Sequence, residues 1–212
     1  PPVRRFVSMK VVAFNGSPRQ NGNTALMLNT VLGVLSKAGW ETELVQVGGI
    51  PVRGCRACYR CFKNANARCV VTVDPVNDWI ALAEKADAIL LGSPSYFGTI
   101  ASEIKAFIDR LGLASYSVNK ELLRGKIGAA VVVHRRGGAI NVFDNLNHFF
   151  LCLGMIVPGS SYWNFGAGRL PEEVKDDHEA MANMQHLGEA IHWLGERIQD
   201  APTPYPLPPT VT

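Results

Sequence analysis

The sequence lacks the features that would place it in a membrane, in a secretory pathway or on nucleic acid. Its longest apolar runs, such as residues 127–133, are far shorter than the roughly 20 residues that span a bilayer. Pro1 to Lys10 holds two arginines, but the apolar segment of a secretory signal does not follow them. The net charge of +3 is too small to indicate a nucleic-acid partner. We therefore expect a cytoplasmic globular protein whose natural start is Met9, with residues 1–8 as a remnant or arm.

Two common phosphate-binding motifs are also missing from the first turn of the chain. Residues 13–24 contain no Gly-Lys-Ser/Thr, which excludes a P-loop, and their glycines are too sparse for a dinucleotide fingerprint. What is present is an apolar strand pattern over residues 9–15, a polar turn and a helical pattern over residues 23–37. The N-terminus of a helix attracts an anion. The turn therefore predicts a phosphate site, with a simple helix-capping turn as the alternative. Its side-chain donors are Ser17, Arg19, Asn23 and Thr24.

Strand-like and helix-like patterns alternate along the rest of the chain, and no internal repeat is present. Further strands are predicted over residues 41–47, over 86–92, over 126–134 and from 155 to 157, and further helices over 75–85, 101–111, 142–153 and 171–199. This alternation predicts an α/β domain over residues 9–199, with a parallel sheet covered on both faces. Residues 200–212 are rich in proline and form a tail. In such sheets ligands bind beyond the carboxyl ends of the strands.

The loop after the third predicted strand offers an apolar surface at that edge. Pro94 fixes its turn, and Gly98 permits a close approach of the backbone. Tyr96 and Phe97 supply flat rings on which a conjugated ligand would stack. The alternative is that both aromatic side chains pack in the core, as most aromatic residues do.

The loop after the fourth predicted strand offers positive charge and backbone donors. Arg135 and Arg136 precede the paired glycines Gly137 and Gly138, which suits the oxygen-bearing edge of an electron-rich ring. A solvated surface pair is the alternative for the arginines. His134 is expected to be a strand-end residue rather than an acid or base.

Taken together, these stretches resemble the flavodoxin-like FMN reductase superfamily. The segments that carry the resemblance are 15–19, 22–24, 93–98, 105–110 and 136–138, and the likeness covers about residues 9–199. It implies a flavodoxin-like three-layer sandwich whose five parallel strands have the order 2-1-3-4-5.

The same resemblance implies FMN as the cofactor, with its phosphate on the four donors of the first turn. The isoalloxazine ring would lie between the two later loops. The residues implied there are Pro94, Ser95, Tyr96, Phe97 and Gly98 on one side and Arg136, Gly137 and Gly138 on the other.

Four of the five cysteines fall in the long irregular segment over residues 50–74. Their spacing is Cys55-x2-Cys58-x2-Cys61-x7-Cys69, which lets four thiolates surround one cluster or one metal ion. Five basic residues and no acid occur between residues 51 and 73, and positive charge favours thiolates. The spacing favours a [4Fe–4S] cluster, with a zinc site or a metal-free loop as alternatives. Disulfides are disfavoured in a reducing cytoplasm.

The fifth cysteine, Cys152, lies in an apolar run and is expected to be a buried core thiol. Within the superfamily the cysteine segment is most similar to the iron–sulfur flavoproteins, although its final spacer is long for that pattern.

This resemblance implies a flavin-dependent oxidoreductase in which FMN carries the redox step and no side chain is assigned as catalytic. Electrons would pass between a reductant, FMN and the cluster, with NAD(P)H as a possible co-substrate and a small molecule or protein as electron donor or acceptor. The alternatives are a cluster-free NAD(P)H-dependent FMN or quinone reductase and a non-catalytic flavodoxin-like electron carrier. A homodimer or homotetramer is expected. Lys105, Asp109 and Arg110 are expected to pair within their helix or to make interface contacts.

Overall fold

A computed structural model describes residues 8–119 and 122–207. Residues 1–7 of the predicted N-terminal arm and 208–212 of the predicted tail lie outside the described residues. The elements, in chain order, are β1 (Lys10–Asn15), α1 (Asn23–Lys37), β2 (Glu41–Gln46), α2 (Arg60–Asn64), α3 (Val76–Lys85), β3 (Ala88–Pro94), α4 (Ser102–Tyr116), β4 (Ile127–His134), α5 (Ala139–Cys152), β5 (Phe165–Ala167), a short 3₁₀ helix (Glu173–Asp176) and α6 (His178–Gln199).

The strands form one parallel sheet in the order β2-β1-β3-β4-β5, which confirms the predicted fold class and strand order. Alternate residues of each strand point to opposite faces. In β1, Val12 and Phe14 pack with α3, α4 and α5, whereas Val11 and Ala13 pack with α1 and α6. Both faces are therefore buried, and ligand access remains at the ends of the strands. No helix in the described ranges is long and apolar enough to cross a membrane.

The last strand does not lie where the sequence predicted it. Ile156 makes only an isolated parallel bridge to Ile127, and β5 is formed by Phe165–Ala167 instead. Pro158 has no backbone N–H to donate, so pairing cannot continue from Ile156 along the edge of β4. The chain rejoins the sheet only after Asn164, whose side-chain amide donates to the carbonyl of Ala130 at 3.0 Å.

The predicted terminal helix is also divided. A short 3₁₀ helix precedes α6, and the side chain of Asp177 caps α6 by accepting a hydrogen bond from the N–H of Ala180 at 3.1 Å. The other carboxylate oxygen of Asp177 accepts from the N–H of Ala167 at 2.9 Å. The same side chain thus ends the connection from β5 and starts the helix.

The prediction that Cys152 is buried is wrong. Val142, Leu146 and Phe150 form the inward stripe of α5, at intervals of four residues. Leu151 and Cys152 follow that stripe on the outward side and are exposed. The Cys152 thiol lies 3.0 Å from the hydroxyl of Tyr116.

Candidate functional site

The loops that follow β1, β3 and β4 meet in one open cleft at the carboxyl edge of the sheet. Its cavity volume of about 270 Å³ lies near the lower end of the range of small-molecule sites. The lining residues are Ser17, Arg19, Asn23, Thr24, Pro94, Ser95, Tyr96, Val133, His134, Arg135, Gly168 and Arg169. The convergence expected from a doubly wound sheet is therefore present.

The first loop forms an anion-binding turn at the start of α1. The N-cap residue is Gly22, no side chain caps the helix, and the first turn has no acidic residue. The first N–H groups of a helix have no intrahelical acceptor, so they are available to an anion. Ser17 and Thr24 are buried at this end of the cleft, where their hydroxyl groups add to the donors.

Hydrogen bonds inside the fold fix the shape of this turn. The carboxamide oxygen of Asn15 accepts from the N–H of Ser17 at 3.1 Å, and the hydroxyl of Ser17 accepts from the N–H of Arg19 at 3.2 Å. The side chain of Gln46, at the end of β2, donates to the carbonyls of Ser17 at 2.7 Å and Gly48 at 2.5 Å. The turn is thus braced by a neighbouring strand, a role for Gln46 that the sequence did not predict.

A wall of the cleft comes from the segment after β5. The side chain of Arg19 donates to the carbonyl of Arg169 at 2.7 Å, and that of Asn23 donates to the carbonyl of Leu170 at 2.8 Å. Gly168 and Arg169 line the cleft but were not among the predicted site residues. A glycine and an arginine directly after a strand could have indicated this wall. They were not recognised because the last strand was predicted at residues 155–157, before the actual β5.

The loop after β3 is a tight two-residue hairpin. Tyr96 and Thr99 exchange both backbone hydrogen bonds, at 3.0 and 3.1 Å, and the two residues between them have positive φ angles of 50° at Phe97 and 78° at Gly98. This is the backbone of a hairpin turn with both central residues left-handed. Tyr96 lines the cleft and is partly exposed, and Phe97 is fully exposed. Neither ring packs in the core, which excludes the alternative weighed for them.

The loop after β4 packs directly against that hairpin. Gly138 has a φ of 81°, and a Cβ atom there would lie 2.7 Å from the hydroxyl of Ser95 and 2.9 Å from the Cα of Gly98. The hydroxyl of Ser95 donates to the carbonyl of Gly137 at 3.4 Å. Only glycine fits this approach, so the two loops are held together at Gly138.

Arg135, rather than Arg136, lines the cleft, and both side chains are exposed. His134 ends β4, as predicted, but it also lines the cleft. Its Nδ1 atom is buried and has no hydrogen-bond partner among the described residues. Its ring meets that of Phe165 edge to face, with centroids 6.5 Å apart.

Seven of the predicted flavin-binding residues line the cleft together, namely Ser17, Arg19, Asn23, Thr24, Pro94, Ser95 and Tyr96. The other five belong to the loops after β3 and β4 but do not line the cleft, namely Phe97, Gly98, Arg136, Gly137 and Gly138. Their contacts with a flavin stay a prediction.

All four clustered cysteines line a second, smaller pocket. The residues that share it are Cys55, Arg56, Cys58, Tyr59, Cys61, Cys69, Val70, Val71, Arg110 and Leu113. Cys55 and Cys58 are exposed, Cys69 is partly buried and Cys61 is buried. In the described ranges no three side chains of the His, Cys, Asp and Glu types are already arranged as a metal site. The thiols are thus gathered in one place without being in ligating positions.

The backbone of this segment has an unusual conformation. Ala57, Tyr59, Ala65 and Ala67 have φ angles of 48°, 54°, 45° and 57°, in the left-handed region that residues with side chains rarely adopt. Left-handed residues next to right-handed ones turn successive N–H groups into a concave anion site, as in many iron–sulfur proteins. Two N–H groups already donate to thiols, from Ala57 to Cys55 at 3.4 Å and from Val71 to Cys69 at 3.5 Å. This donor set fits an anionic group bound by four thiolates.

A buried ion pair anchors both ends of the cysteine segment to α4. Nη1 of Arg110 donates to the carboxylate oxygens of Asp74 at 2.8 and 2.7 Å and to the carbonyl of Arg53 at 3.1 Å, and Nη2 donates to the carbonyl of Val71 at 2.8 Å. The expectation of intrahelical or interface pairing is wrong for Arg110, whereas Lys105 and Asp109 do pair along the helix. Burial favours a higher pKa for Asp74, but hydrogen bonds from Arg110 and the N–H of Arg53 prevail and lower that pKa.

The four thiols are not equivalent. Burial raises the pKa of the Cys61 thiol above its ordinary value, and negative charge on the nearby Cys69 and Cys55 raises it further. A hydrogen bond from the N–H of Phe62 acts in the opposite direction on this pKa. A metal ion bound at Cys61 would replace its proton, so metal binding there would oppose this upward shift of its pKa.

The comparisons with known proteins agree with this geometry. The sequence model of a family described as NADPH-dependent FMN reductase matches residues 9–169. An iron–sulfur flavoprotein from Methanocaldococcus jannaschii is 32% identical over 190 residues, which cover 86% of this chain and 95% of that protein. An iron–sulfur flavoprotein from Methanosarcina thermophila is 30% identical over 193 residues, which cover 90% of this chain and 97% of that protein.

Among solved structures, a flavodoxin from the domain Archaea has a TM-score of 0.57 at 16% identity, covering 89% of this chain and 99% of that one. RosB has a TM-score of 0.65 at 17% identity, covering 92% of this chain and 82% of that one. These likenesses show the flavodoxin-like fold. The family match and the curated relatives go further, and with them the chain is identified as a flavin-dependent oxidoreductase that belongs to the NADPH-dependent FMN reductase family and is related to the iron–sulfur flavoproteins.

Proposed function

We propose that this oxidoreductase works as an iron–sulfur flavoprotein, exchanging electrons between a reductant, FMN in the cleft and a [4Fe–4S] cluster on Cys55, Cys58, Cys61 and Cys69. The observation that carries the proposal is that all four thiols line a single pocket. When bound, FMN supplies two-electron chemistry and the cluster supplies single-electron transfer, so that together they convert one kind of transfer into the other.

At the flavin site the protein binds and orients the cofactor. The free N–H groups of α1 and the hydroxyls of Ser17 and Thr24 would hold the phosphate, because charge-assisted hydrogen bonds to a phosphate are strong. Arg19 adds positive charge at the mouth of this turn. Tyr96 also lines the cleft, and it and the rest of its hairpin would lie beside the ring.

At the cysteine pocket the protein supplies thiolates and a positive surround. The N–H groups of Ala57 and Val71 already donate to sulfur, and such bonds stabilise the negative charge of a cluster. Exposure of Cys55 and Cys58 lets a cluster be assembled from the solvent side and lets a small-molecule or protein partner approach it. NAD(P)H as the reductant and assembly into a homodimer or homotetramer belong to this proposal.

Anaerobic reconstitution tests the proposal. The wild type should bind about four irons per chain and gain broad absorption at roughly 400 nm beyond that of FMN, as a Cys₄ cubane does. Cys58→Ser should lose both signals and keep FMN, whereas Cys152→Ser should match the wild type because Cys152 lies outside the pocket.

The alternatives predict different results in the same preparation. Reconstituted wild type that holds zinc or no metal, yet oxidises NAD(P)H with a quinone or free flavin, is a cluster-free reductase. A protein that binds FMN and iron but does not turn over with any reductant is an electron carrier. Either outcome would refute the proposal as stated.

A further inference from the structure

Arg110 forms part of the lining of the cysteine pocket and is almost completely buried, with 1% of its surface exposed. Both of its terminal nitrogens have acceptors. Nη1 is occupied by Asp74 and the carbonyl of Arg53, and Nη2 by the carbonyl of Val71. Its third nitrogen, Nε, is buried and has no hydrogen-bond partner in the part of the chain that the structure describes. Such an unpaired donor is costly, and native proteins almost always supply an acceptor for it.

The pocket around Arg110 contains few groups that can accept this hydrogen bond. Val70, Val71 and Leu113 contribute apolar surface, and the carbonyl of Val71 already accepts from Nη2. The side-chain acceptors left in the lining are the phenol oxygen of Tyr59 and the four cysteine sulfurs. A neutral thiol is a weak acceptor, whereas a thiolate or sulfide of an anionic cluster is a strong one.

We propose that the Nε–H of Arg110 donates a hydrogen bond to a sulfur of the cluster and thereby sets the cluster's reduction potential, an inference that rests on the cluster proposed above. Asp74 holds the guanidinium in place and balances its charge, so the effect comes from a directed N–H group rather than from net charge. A hydrogen bond to sulfur stabilises the reduced, more negative form and raises the potential. Arg110 is thus a positioning and tuning residue, and it ligates nothing.

The first arm of the test is a redox titration of reconstituted variants. Arg110→Lys keeps the positive charge but removes the Nε–H, and Arg56→Gln removes the charge of an exposed arginine from the same pocket. At a fixed electrode potential, Arg110→Lys should lower the ratio of reduced to oxidised cluster by about tenfold, which is 59 mV for one electron. Arg56→Gln should change it much less. An equal or larger effect of Arg56→Gln, or no effect of Arg110→Lys, overturns the inference.

The second arm leaves Arg110 unchanged and uses the wild-type chain, with the exposed-site variant Arg56→Gln as its control. Protein made with arginine labelled with ¹⁵N in the side chain is reconstituted and reduced, and pulsed EPR measures the hyperfine coupling between ¹⁵N and the cluster. One arginine nitrogen should be coupled in the wild type, and Arg56→Gln should keep that coupling. Iron-loaded wild type without the coupling refutes the role of Arg110 alone. Wild type that takes up no iron refutes the proposed function, and this inference with it.

Discussion

The flavin cleft and the cysteine segment are built in opposite ways. The cleft lies at the ends of buried parallel strands, and side chains such as Gln46 brace its first turn from the neighbouring strand. The cysteine segment belongs to no strand, has four left-handed residues other than glycine, and leaves Cys55 and Cys58 exposed. The fold forms the first site in advance, whereas the thiols of the second are not in ligating positions, and the proposed cluster would have to bring them together. The predictions below test that contrast, from the largest expected effect to the smallest.

Loss of the ion pair between Asp74 and Arg110 should have the largest effect on stability, because this pair joins the cysteine segment to the rest of the fold. Asp74→Asn leaves a buried guanidinium without its counter-charge, and we expect a loss of about 3–5 kcal/mol in the free energy of unfolding. Urea denaturation followed by circular dichroism measures this. Asp109→Asn is the matched control, because it breaks an exposed pair on the same helix and should cost less than about 1 kcal/mol.

The same pair predicts a dependence of stability on pH. The pKa of Asp74 is lower in the folded than in the unfolded chain, so the unfolded state binds more protons as the solution is acidified. The stabilisation is therefore present above the ordinary carboxyl pKa and is lost as pH falls through the lowered value. Asp74→Asn should flatten this acid limb of the stability curve. An unchanged limb would show that Asp74 is not the group responsible.

In the cleft, the hydroxyl groups at the start of α1 should matter for binding rather than for folding. The double variant Ser17→Ala, Thr24→Ala removes two hydroxyl donors from the predicted phosphate site, and we expect FMN to bind about 100-fold more weakly, or roughly 3 kcal/mol. Fluorescence quenching of added FMN measures the affinity. Thr30→Ala lies further along the same helix, where its hydroxyl bonds the carbonyl of Leu26, and it should leave binding unchanged. If the double variant and the wild type bound FMN with equal affinity, the prediction that this turn binds the phosphate would be wrong.

The contact between the two later loops gives a smaller effect. Gly138→Ala introduces a Cβ atom at a positive φ and against Ser95 and Gly98, so we expect about 1–3 kcal/mol of destabilisation and weaker FMN binding. Gly137→Ala is the control, since a Cβ atom there meets nothing within 4 Å. Thermal unfolding of both variants decides the point. If the two variants had similar melting temperatures, the two loops would separate easily and their contact at Gly138 would not hold the cleft rigid.

The smallest effect should be found among the thiols themselves. In metal-free protein at pH 8, Cys61 should react with iodoacetamide several times more slowly than Cys55, because burial both shields the thiol and raises its pKa. Raising the pH should narrow this difference, since more Cys61 becomes thiolate. Peptide mass spectrometry gives the rate for each cysteine. A Cys61 that reacts as fast as Cys55 would show that the segment opens freely in solution.

The parts of the fold that were predicted correctly depend on local patterns. The apolar runs of β1, β3 and β4 and the polar turn before α1 are contiguous in sequence, and the rule that ligands bind at carboxyl ends of strands then brings their loops together. β5 could not be found this way. Its three residues carry almost no pattern, and they are positioned by Asn164 and Asn183, whose buried amides hold the preceding segment to β4 and α6.

Polar contacts between residues far apart in sequence were also not predicted. Asp74 and Arg110 are 36 positions apart, and the sequence gives no sign that the first carboxylate after a basic segment pairs with an arginine on α4. Cys152 was misplaced for a different reason. An apolar run was taken as a sign of burial, although only one face of a helix is buried and this residue falls on the other.

The two backbone contacts of Arg110 also limit how much of the fold a change in the cysteine segment can affect. Because the carbonyls of Arg53 and Val71 are tied to the same guanidinium, the chain between them is a loop whose ends stay fixed on α4. Oxidation of a cluster would release thiols within that loop, while the packing of α4 against the sheet involves apolar side chains outside it. If the proposed cluster is bound, we expect that iron lost during exposure to oxygen can be replaced in the folded protein, without unfolding or new synthesis.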